Sequence, residues 1–501
     1  VGQERLRGWF DLENLPNVRI VAENISNSKS SLNFLCALSS NLGEKVALDY
    51  LWNINQNIHQ YAKFPFTPVR MTAVGDADIA ITRQSHVAKY LENNFPAYVI
   101  IPREGTPINL YGAAISKDNR KPRQAIDSEV MLGLIREKAF EITNDPSEAD
   151  IIIVNTCGFI ESAKEESINT ILQMAEYKQE GACKHLIMTG CLGQRYADEL
   201  FENIPEVDAI VGKNSFTEIA WVIDEVMKGR RFVYLDEAGY VPNKPRMLTT
   251  PSYMAYLKIA EGCDNRCSYC AIPQICGPYT SRPYEDVMAE AKELAASGIK
   301  EIIVVAQDTT RYGEDLYGKL MLPQLLKDLN DLEGVEWIRV MYLYPNNFND
   351  ELIEAFATLD KVCKYIDIPL QHASDALLSS MNRFDTKAEV EALLQKLRTR
   401  IPEIVIRTTF IVGFPGETDE DFEILKDFVA AQRFENAGVF QYSQEDGTVA
   451  GAMPNQIPEE VKENRYHELM ALQAEISEEL HQEMEDKELT GDFEGYDEEN
   501  T

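Results

Sequence analysis

Short apolar runs alternate with longer amphipathic segments along most of the chain. Within 127–230, apolar runs near 150–155, 185–189 and 207–211 are bounded by turn or capping residues and separated by helix-period segments such as 160–178. Alternation of strand and helix is typical of a parallel sheet that is covered on both faces. We therefore predict an α/β domain over 121–236.

A second alternating series follows a linker at 237–250 that contains Pro and Gly. We predict six strands in it, near 254–260, 301–306, 337–343, 364–369, 404–412 and 437–442. Six successive βα units favour a full or partial barrel, and such barrels carry their chemistry on the loops that follow the strands. A charged segment at 458–487 predicts a closing helix, and residues 486–501 are too few and too acidic for a domain.

The first 120 residues differ in composition and in charge. They are rich in Asn and Ser, with predicted strands at 19–22, 78–81 and 97–101. They hold 12 Lys and Arg against 11 Asp and Glu, whereas the remainder holds 36 against 71. A strongly acidic surface repels phosphate backbones and attracts basic proteins. The charge therefore favours a basic protein partner over nucleic acid, although solubility alone would also account for it.

Targeting signals and cysteine usage indicate a cellular location. No apolar stretch approaches the ~20 residues needed to span a bilayer, and the N-terminus lacks the layout of a secretion signal. Nine cysteines, several of them clustered, indicate reduced thiols and metal binding rather than a disulfide scaffold. The sequence thus predicts a cytoplasmic protein without a membrane segment.

Three cysteines form the most specific motif of the chain. Cys263, Cys267 and Cys270 are spaced C-x3-C-x2-C, directly after a predicted barrel strand. Thiolates are the usual protein ligands of iron–sulfur clusters, and three of them leave the fourth iron of a [4Fe–4S] cube open. The spacing differs from paired C-x2-C zinc sites. We predict a cluster whose open iron binds a substrate or cofactor.

This run, with the order of its strands and loops, resembles the radical S-adenosylmethionine (radical SAM) enzymes. The resemblance implies that S-adenosylmethionine binds the open iron through its amino and carboxylate groups. It also implies that an electron, supplied by a donor such as flavodoxin or ferredoxin, cleaves the sulfonium to a 5′-deoxyadenosyl radical. The protein then positions the cofactor and excludes water.

Two further stretches resemble the methylthiotransferase branch of these enzymes. Residues 155–163 and 189–195 are similar to cysteine motifs of that branch's N-terminal domain, which implies that Cys157 and Cys191 bind a second [4Fe–4S] cluster. Each cysteine follows a predicted strand, so both lie at the same edge of one sheet. The implied fold is a Rossmann-like N-terminal domain followed by a partial (β/α)6 TIM-type barrel at 251–485.

Within that branch, three stretches are most similar to the enzymes that modify ribosomal protein S12. They lie at 338–345, 363–374 and 407–417. The resemblance implies sulfur insertion and methylation at the β-carbon of one aspartate of that protein, with two molecules of S-adenosylmethionine. A tRNA methylthiotransferase stays open as an alternative, although the acidic charge favours a basic protein target.

Candidate cofactor-binding residues outside the cysteines are Tyr269, Gln307, Asp367, Arg407 and Gly413. Tyr269 suits stacking on an adenine, and equally an ordinary core position. Gln307 and Asp367 lie near strand ends, where a barrel-layer or capping role is as compatible as ligand contact. A glycine such as Gly413 permits close approach of a backbone to a cofactor. No side chain is assigned a catalytic acid or base role.

The chain departs from the family pattern at the second cluster. A third cysteine is expected just before Asp127, but residues 119–126 contain none. Cys183 is a poor substitute because it precedes the strand at 185–189 whereas Cys191 follows it, a separation of roughly 17–20 Å. Nothing around Cys36 suggests a ligand. A fusion that cleaves S-adenosylmethionine without inserting sulfur therefore stays open as a second alternative.

Both ends of the chain also depart from the pattern. Residues 75–81 and 108–117 are similar to a periplasmic iron(III)-binding solute-binding protein, which implies an α/β fragment over 1–120. One hypothesis is that a strand at 108–115 replaces the missing first strand of the methylthiotransferase sheet. At the other end, only the first strand of the family's C-terminal TRAM barrel, near 489–496, is expected.

Overall fold

The computed structural model describes residues 12, 18–23, 44–55, 58–62, 68, 71–72, 77–81, 122–138, 140, 142–143, 146–235 and 244–484. The chain forms two compact units, one made of residues 1–110 with 488–501 and the other of residues 111–487. All candidate site residues belong to the second unit.

The first unit contains a small parallel sheet. Strand β1 (Ile20–Glu23) lies between β2 (Ile58–Ala62) and β3 (Ile79–Ile81), and helix α1 (Glu44–Asn55) packs on it through Ala47 and Tyr50. Two of the three strands predicted in this region are therefore present. The predicted strand at 97–101 lies outside the described residues, as do the stretches at 108–117 and 489–496.

Four parallel strands form the sheet of the first domain in the second unit. They lie in the order β4-β5-β6-β7. The strands are β4 (Ile151–Thr156), β5 (His185–Gly190), β6 (Ala209–Val211) and β7 (Phe232–Tyr234), and the helices are α2 (Pro122–Glu137), α3 (Glu161–Glu180), α4 (Cys191–Asn203) and α5 (Ile219–Met227). Alternate residues of β5 enter two separate apolar clusters, Leu186 in one and Ile187 in the other. The predicted two-sided parallel sheet is confirmed, with β7 as an unpredicted fourth strand.

The second domain places a strand at each of the six predicted positions. Hydrogen bonds join the strands near 254–260, 301–306 and 337–343 into one parallel group, and those near 364–369, 404–412 and 437–442 into another. A parallel bridge from Ile338 to Val362 connects the two halves. The bounds are β8 (Met254–Lys258), β9 (Ala260–Glu261), β10 (Thr280–Ser281), β11 (Glu301–Val305), β12 (Trp337–Val340), β13 (Tyr365–Asp367), β14 (Val405–Val412) and β15 (Asn436–Gln441). The predicted partial barrel is confirmed.

Helices surround this barrel and close it. They are α6 (Ile272–Cys276), α7 (Tyr284–Ala296), α8 (Glu314–Tyr317), α9 (Leu322–Asn330), α10 (Asp350–Thr358), α11 (Asp375–Ser380), α12 (Lys387–Arg400), α13 (Asp419–Gln432) and α14 (Glu459–Met484). Helix α13 begins with a capping box between Thr418 and Asp421. The long α14 buries Leu469 and Ile476 in the barrel core. No helix in the described residues is long and apolar enough to cross a membrane.

Helix α2 connects the two domains of this unit. Its Ile126 packs against Ile303 and Val305 of β11. A side chain at Gly133 would come within 2.1 Å of the Pro245 carbonyl oxygen, so the linker lies directly on the helix. Helix α2 therefore contacts both the barrel and the linker.

Candidate functional site

The loop that carries Cys263, Cys267 and Cys270 is pinned to its surroundings by backbone contacts. It begins directly after β9, which pairs antiparallel with β10, so the loop lies between these two strands. Gly262 has a φ of +77°, and a Cβ there would lie 2.0 Å from the Pro278 carbonyl oxygen, so only glycine fits. The Cys263 amide then donates to the Gly277 carbonyl at 3.3 Å. The first cysteine is thereby held against the segment that follows α6.

The rest of the loop is anchored to the barrel. The Asn265 side chain donates to Asp308 at 2.8 Å, and the Ser268 amide donates to the Met381 carbonyl at 2.9 Å. Burial raises the pKa of the Asp308 carboxyl, although Thr310 and Asn265 donate hydrogen bonds to it. Asp308 therefore acts as an anchor for the cysteine loop.

The three thiols of the loop lie close enough to interact electrostatically. Burial raises the pKa of Cys263 to about 11 and that of Cys270 to about 12, and the neighbouring thiols add to both shifts. Within the described residues, no three His, Cys, Asp or Glu side chains converge on one position as ligands of a single metal ion do. The thiolates that bind a [4Fe–4S] cube do not need to meet at one point, because each of them binds a different iron. The loop fits such a group.

Cys157 and Cys191 meet at the C-terminal edge of the first sheet. Cys157 directly follows β4, and Cys191 follows β5 as the first residue of α4. A Cβ at Gly158 would lie 2.7 Å from the Leu192 Cα, so the two segments are in close contact. Ser167 accepts from the Cys157 amide at 3.0 Å and donates to its carbonyl at 2.9 Å. Burial raises the pKa of Cys191 to about 11, against the effect of the nearby Lys213.

Arg123, at the start of α2, lies near both cysteine groups. It interacts electrostatically with Cys191 and with Cys270. Its guanidinium also lies over the ring of Tyr342, 5.4 Å from the centroid. Tyr342 has a φ of +62°, an unusual conformation for a bulky residue and one associated with functional sites. One cation is therefore within electrostatic range of both cysteine groups.

A buried set of charges joins the two domains beside the cysteines. Asp127 accepts from Lys213 of the first domain and, at 2.6 Å, from Lys258 of the barrel. Both lysines also reach Glu261, at 3.3 Å and 3.0 Å. Burial would raise the pKa of Glu261, but Lys213, Lys258 and Arg123 outweigh it and hold that pKa well below its usual value. Two carboxylates thus balance two lysines at the interface.

Gln307 is placed in this set of charges. Its amide nitrogen donates to Glu261, while its carbonyl oxygen is buried and has no hydrogen-bond partner among the described residues. Buried polar atoms are usually paired. The free oxygen can accept a hydrogen bond from an ammonium or hydroxyl group, so the site fits a polar cofactor beside the cysteine loop.

Asp367 and Arg407 form an ion pair at 2.7 Å. Asp367 is fully buried and also accepts the Tyr342 amide at 3.1 Å, so it supports the unusual turn after β12. Arg407 keeps 38% of its side chain exposed. Asp367 is therefore a positioning residue in this geometry, whereas Arg407 can still reach a ligand; contact of either with the cofactor stays a prediction.

The geometry of Tyr269 and Gly413 is explained by packing. The Tyr269 ring packs against a cluster that contains Leu377 and Phe414. Gly413 has a φ of +75°, and a Cβ there would lie 2.3 Å from the Lys462 side chain of α14. Contact of either residue with a cofactor stays a prediction.

Sequence reasoning missed four residues of the site, namely Arg123, Lys213, Lys258 and Cys276. Cys276 ends α6 and packs in one apolar cluster with Cys191 and Phe159. Its signal was present in the sequence, since it lies only six residues after Cys270. The three cations carried no local signal, because lysine and arginine are common at helix and strand ends. Cys183 lies before β5, at the opposite edge of the sheet from Cys191, and Cys36 lies outside the described residues.

Comparisons with known proteins agree with this geometry. The radical SAM superfamily matches residues 257–429, and the uncharacterized protein family UPF0004 matches residues 123–212. The ribosomal protein uS12 methylthiotransferase RimO of Desulforamulus reducens is 56% identical over 359 residues, which cover 71% of this chain and 81% of that protein. The chain belongs to the uS12 methylthiotransferase family of radical SAM enzymes.

A second relative by sequence supports the assignment. The enzyme of that name from Lachnoclostridium phytofermentans is 52% identical over 375 residues, which cover 74% of this chain and 85% of that protein. A solved radical SAM methyltransferase from Kitasatospora setae is 17% identical, with a TM-score of 0.49 over 67% of this chain and 75% of that one. As a uS12 methylthiotransferase family member, the chain is an enzyme that uses [4Fe–4S] clusters and S-adenosylmethionine.

Proposed function

We propose that this enzyme methylthiolates the β-carbon of an aspartate of ribosomal protein uS12. The observation that carries the proposal is that two cysteine groups, one from each domain, both lie near Arg123 in one compact unit. Sulfur insertion needs a radical source and a sulfur source near the same carbon. Relatives more than 50% identical carry the name of this activity.

Each domain contributes a defined part of the site. Cys263, Cys267 and Cys270 would hold the cluster that binds S-adenosylmethionine, and Cys157 and Cys191 would hold part of a second one. When bound, S-adenosylmethionine would supply the carbon-centred radical and the methyl group, and the second cluster would supply the sulfur. Gln307 accepts a hydrogen bond from the cofactor, and Arg407 contacts it or the target. Arg123 and Lys213 offset the negative charge that thiolates acquire on binding iron.

The charge of the chain supports a basic protein target. Residues 121–501 carry 36 Lys and Arg against 71 Asp and Glu. Such an excess of carboxylates attracts a basic ribosomal protein and repels an isolated tRNA phosphate backbone. We propose a cytoplasmic reaction, with flavodoxin or ferredoxin as electron donor, in which residues 121–236 and 251–485 act as the two working domains.

The test is a reaction between the anaerobically reconstituted chain and two targets. Purified uS12 and total tRNA are incubated separately with S-adenosylmethionine, sulfide and reduced flavodoxin, and the products are analysed by mass spectrometry. We expect one methylthio group in place of one hydrogen on uS12 and no change on tRNA. The Cys267→Ala variant is the control and should leave both targets unmodified. Modification of tRNA alone would refute the proposal.

A further inference from the structure

The second cluster lacks one expected ligand in the first domain, and the barrel offers a cysteine at the same place. Helix α4, which begins at Cys191, packs against helix α6, which ends at Cys276. Cys191 and Cys276 belong to one buried cluster with Phe159 and Ile275, and their side chains are 8% and 6% exposed. The neighbouring Cys157 interacts electrostatically with Cys191. Three thiols from three segments therefore gather at the C-terminal edge of the sheet.

The surroundings of Cys276 distinguish it from the cysteines of the radical SAM loop. Its strongest interactions with charged groups are with Glu261, Lys213, Cys191 and Arg123. The Cys270 thiol instead interacts with Cys267 and Cys263. Gly277, which follows Cys276, accepts the Cys263 amide hydrogen bond, so the backbone passes close to the loop while the side chain turns to the other domain.

Two cations lie within range of this second group of thiols. Lys213 and Arg123 each interact with both Cys191 and Cys276. Each thiol that binds iron loses its proton to solvent and becomes an anion, which is costly in a buried position unless positive charge is near. The arrangement supplies that charge.

The other described cysteines lie elsewhere. Cys183 precedes β5 and its thiol donates to the His185 carbonyl at 3.4 Å. Cys363 interacts with Arg339 and with Glu301, which is the first residue of β11, so it lies toward the end of the barrel away from the cysteine loop. Among the described cysteines outside the radical SAM loop, Cys276 is the one that packs with Cys191.

We propose that Cys276 is the third protein ligand of the second [4Fe–4S] cluster, together with Cys157 and Cys191. The inference rests on the proposed function in that it assumes a second cluster. The cluster is then shared by two domains, and its ligand set is completed across the interface rather than within the first domain. This chain thereby compensates for the cysteine that is missing before Asp127.

The test counts iron and acid-labile sulfide and records Mössbauer spectra on reconstituted full-length variants. A starting variant with Cys263, Cys267 and Cys270 all changed to Ala removes the first cluster and should retain about four irons per chain. Adding Cys276→Ala should remove these irons, as should adding Cys157→Ala or Cys191→Ala. Adding Cys363→Ala is the matched control and should leave about four.

Several results would overturn the inference. About four irons retained after the addition of Cys276→Ala, or none in the starting variant, would each refute it. The single variant Cys276→Ala in the otherwise natural chain should still cleave S-adenosylmethionine, which shows that it folds. If Cys276→Ala does not cleave S-adenosylmethionine, the variant Cys276→Ser replaces it, because serine nearly preserves the side-chain volume. Cys276→Ser should cleave S-adenosylmethionine and show altered Mössbauer parameters for one of the two clusters. Unaltered parameters would refute the inference.

The proposed function fails differently. A chain whose second cluster depends on Cys276 but which leaves uS12 unmodified would refute the function and leave the ligand assignment intact. A chain that modifies uS12 and keeps both clusters after Cys276→Ala would refute the ligand assignment and leave the function intact.

Discussion

Lys258 of the barrel donates to Asp127 of the first domain at 2.6 Å, in an ion pair whose side chains are 12% and 4% exposed. Asp127 pairs with Lys213 as well, and both lysines reach Glu261. Removing one member of a buried charged set is costly because it leaves its partners uncompensated. This contact therefore couples the stability of the domain interface to the position of the cysteine loop, which begins two residues after Glu261.

We expect Asp127→Asn to destabilise the protein by about 3 kcal/mol, because two buried lysines lose a carboxylate. The measurement is the urea midpoint of the metal-free chain. The matched control is Asp150→Asn, whose partner Lys184 is 70% exposed and which should shift stability by less than about 1 kcal/mol. Equal midpoints for the two variants would contradict the assigned role of the buried pair.

Arg195 positions the loop that carries Cys157. Its guanidinium donates to the Gly158 carbonyl at 2.7 Å and, from the other nitrogen, to the Asp446 carbonyl at 2.8 Å. A lysine cannot reproduce this fork geometry. We expect Arg195→Lys to lower both the iron occupancy of the second cluster and the rate of sulfur insertion roughly tenfold, because a contact that supports a ligand is lost. Cleavage of S-adenosylmethionine should be retained. Parallel loss of both activities would show a general folding defect instead.

Glu290 predicts a pH dependence of stability. Burial would raise its pKa, but Arg282 and Arg246 outweigh burial and hold that pKa below its usual value. A carboxyl whose pKa is lower in the folded state stabilises that state when the pH is above the unfolded-state pKa of about 4.3. This contribution to stability is lost as the pH falls through the folded-state pKa. The urea midpoint of the metal-free chain should therefore exceed that of Glu290→Gln at pH 7, and the gap should narrow below about pH 4. A gap independent of pH would contradict the ion pair.

Cys267 tests the radical SAM site directly. Changing it to Ala removes one of three thiolates, so cleavage of S-adenosylmethionine should fall to background. The reaction is run with dithionite as reductant. Chromatography then measures how much methionine and 5′-deoxyadenosine are released. The control Cys363→Ala should cleave as the natural chain does. Cleavage by Cys267→Ala at the natural rate would exclude these cysteines as cluster ligands.

Local patterns were sufficient to predict the secondary structure of the second unit. All six barrel strands and three strands of the first sheet lie where short apolar runs bounded by turns predicted them, because alternation and capping are properties of neighbouring residues. The fourth strand, Phe232–Tyr234, was missed because three residues are too short for a periodic signal. The capping box of Thr418 and Asp421 is also a local feature, since its two members lie three residues apart.

The site could be predicted only in part. Cys263, Cys267 and Cys270 are recognisable from spacing alone, because one loop supplies all three thiols. Arg123 and Lys213 were not, since each is an ordinary surface residue until the other domain packs against it and excludes water. Gln307 was predicted from its strand end, but its unpaired buried oxygen is visible only in the folded chain.

The sequence by itself determined the chemistry and the architecture of this protein. The spacing of one cysteine loop after a strand indicates a cluster with an open iron, and its resemblance to a known family implies radical SAM chemistry. The domain types follow from repeated local patterns. The tertiary structure decided which residues from distant segments share the site. It brings Cys276 of the barrel to Cys191 of the first domain, 85 residues apart in the chain. Contacts between domains depend on which surfaces pack together, and no local pattern encodes that choice.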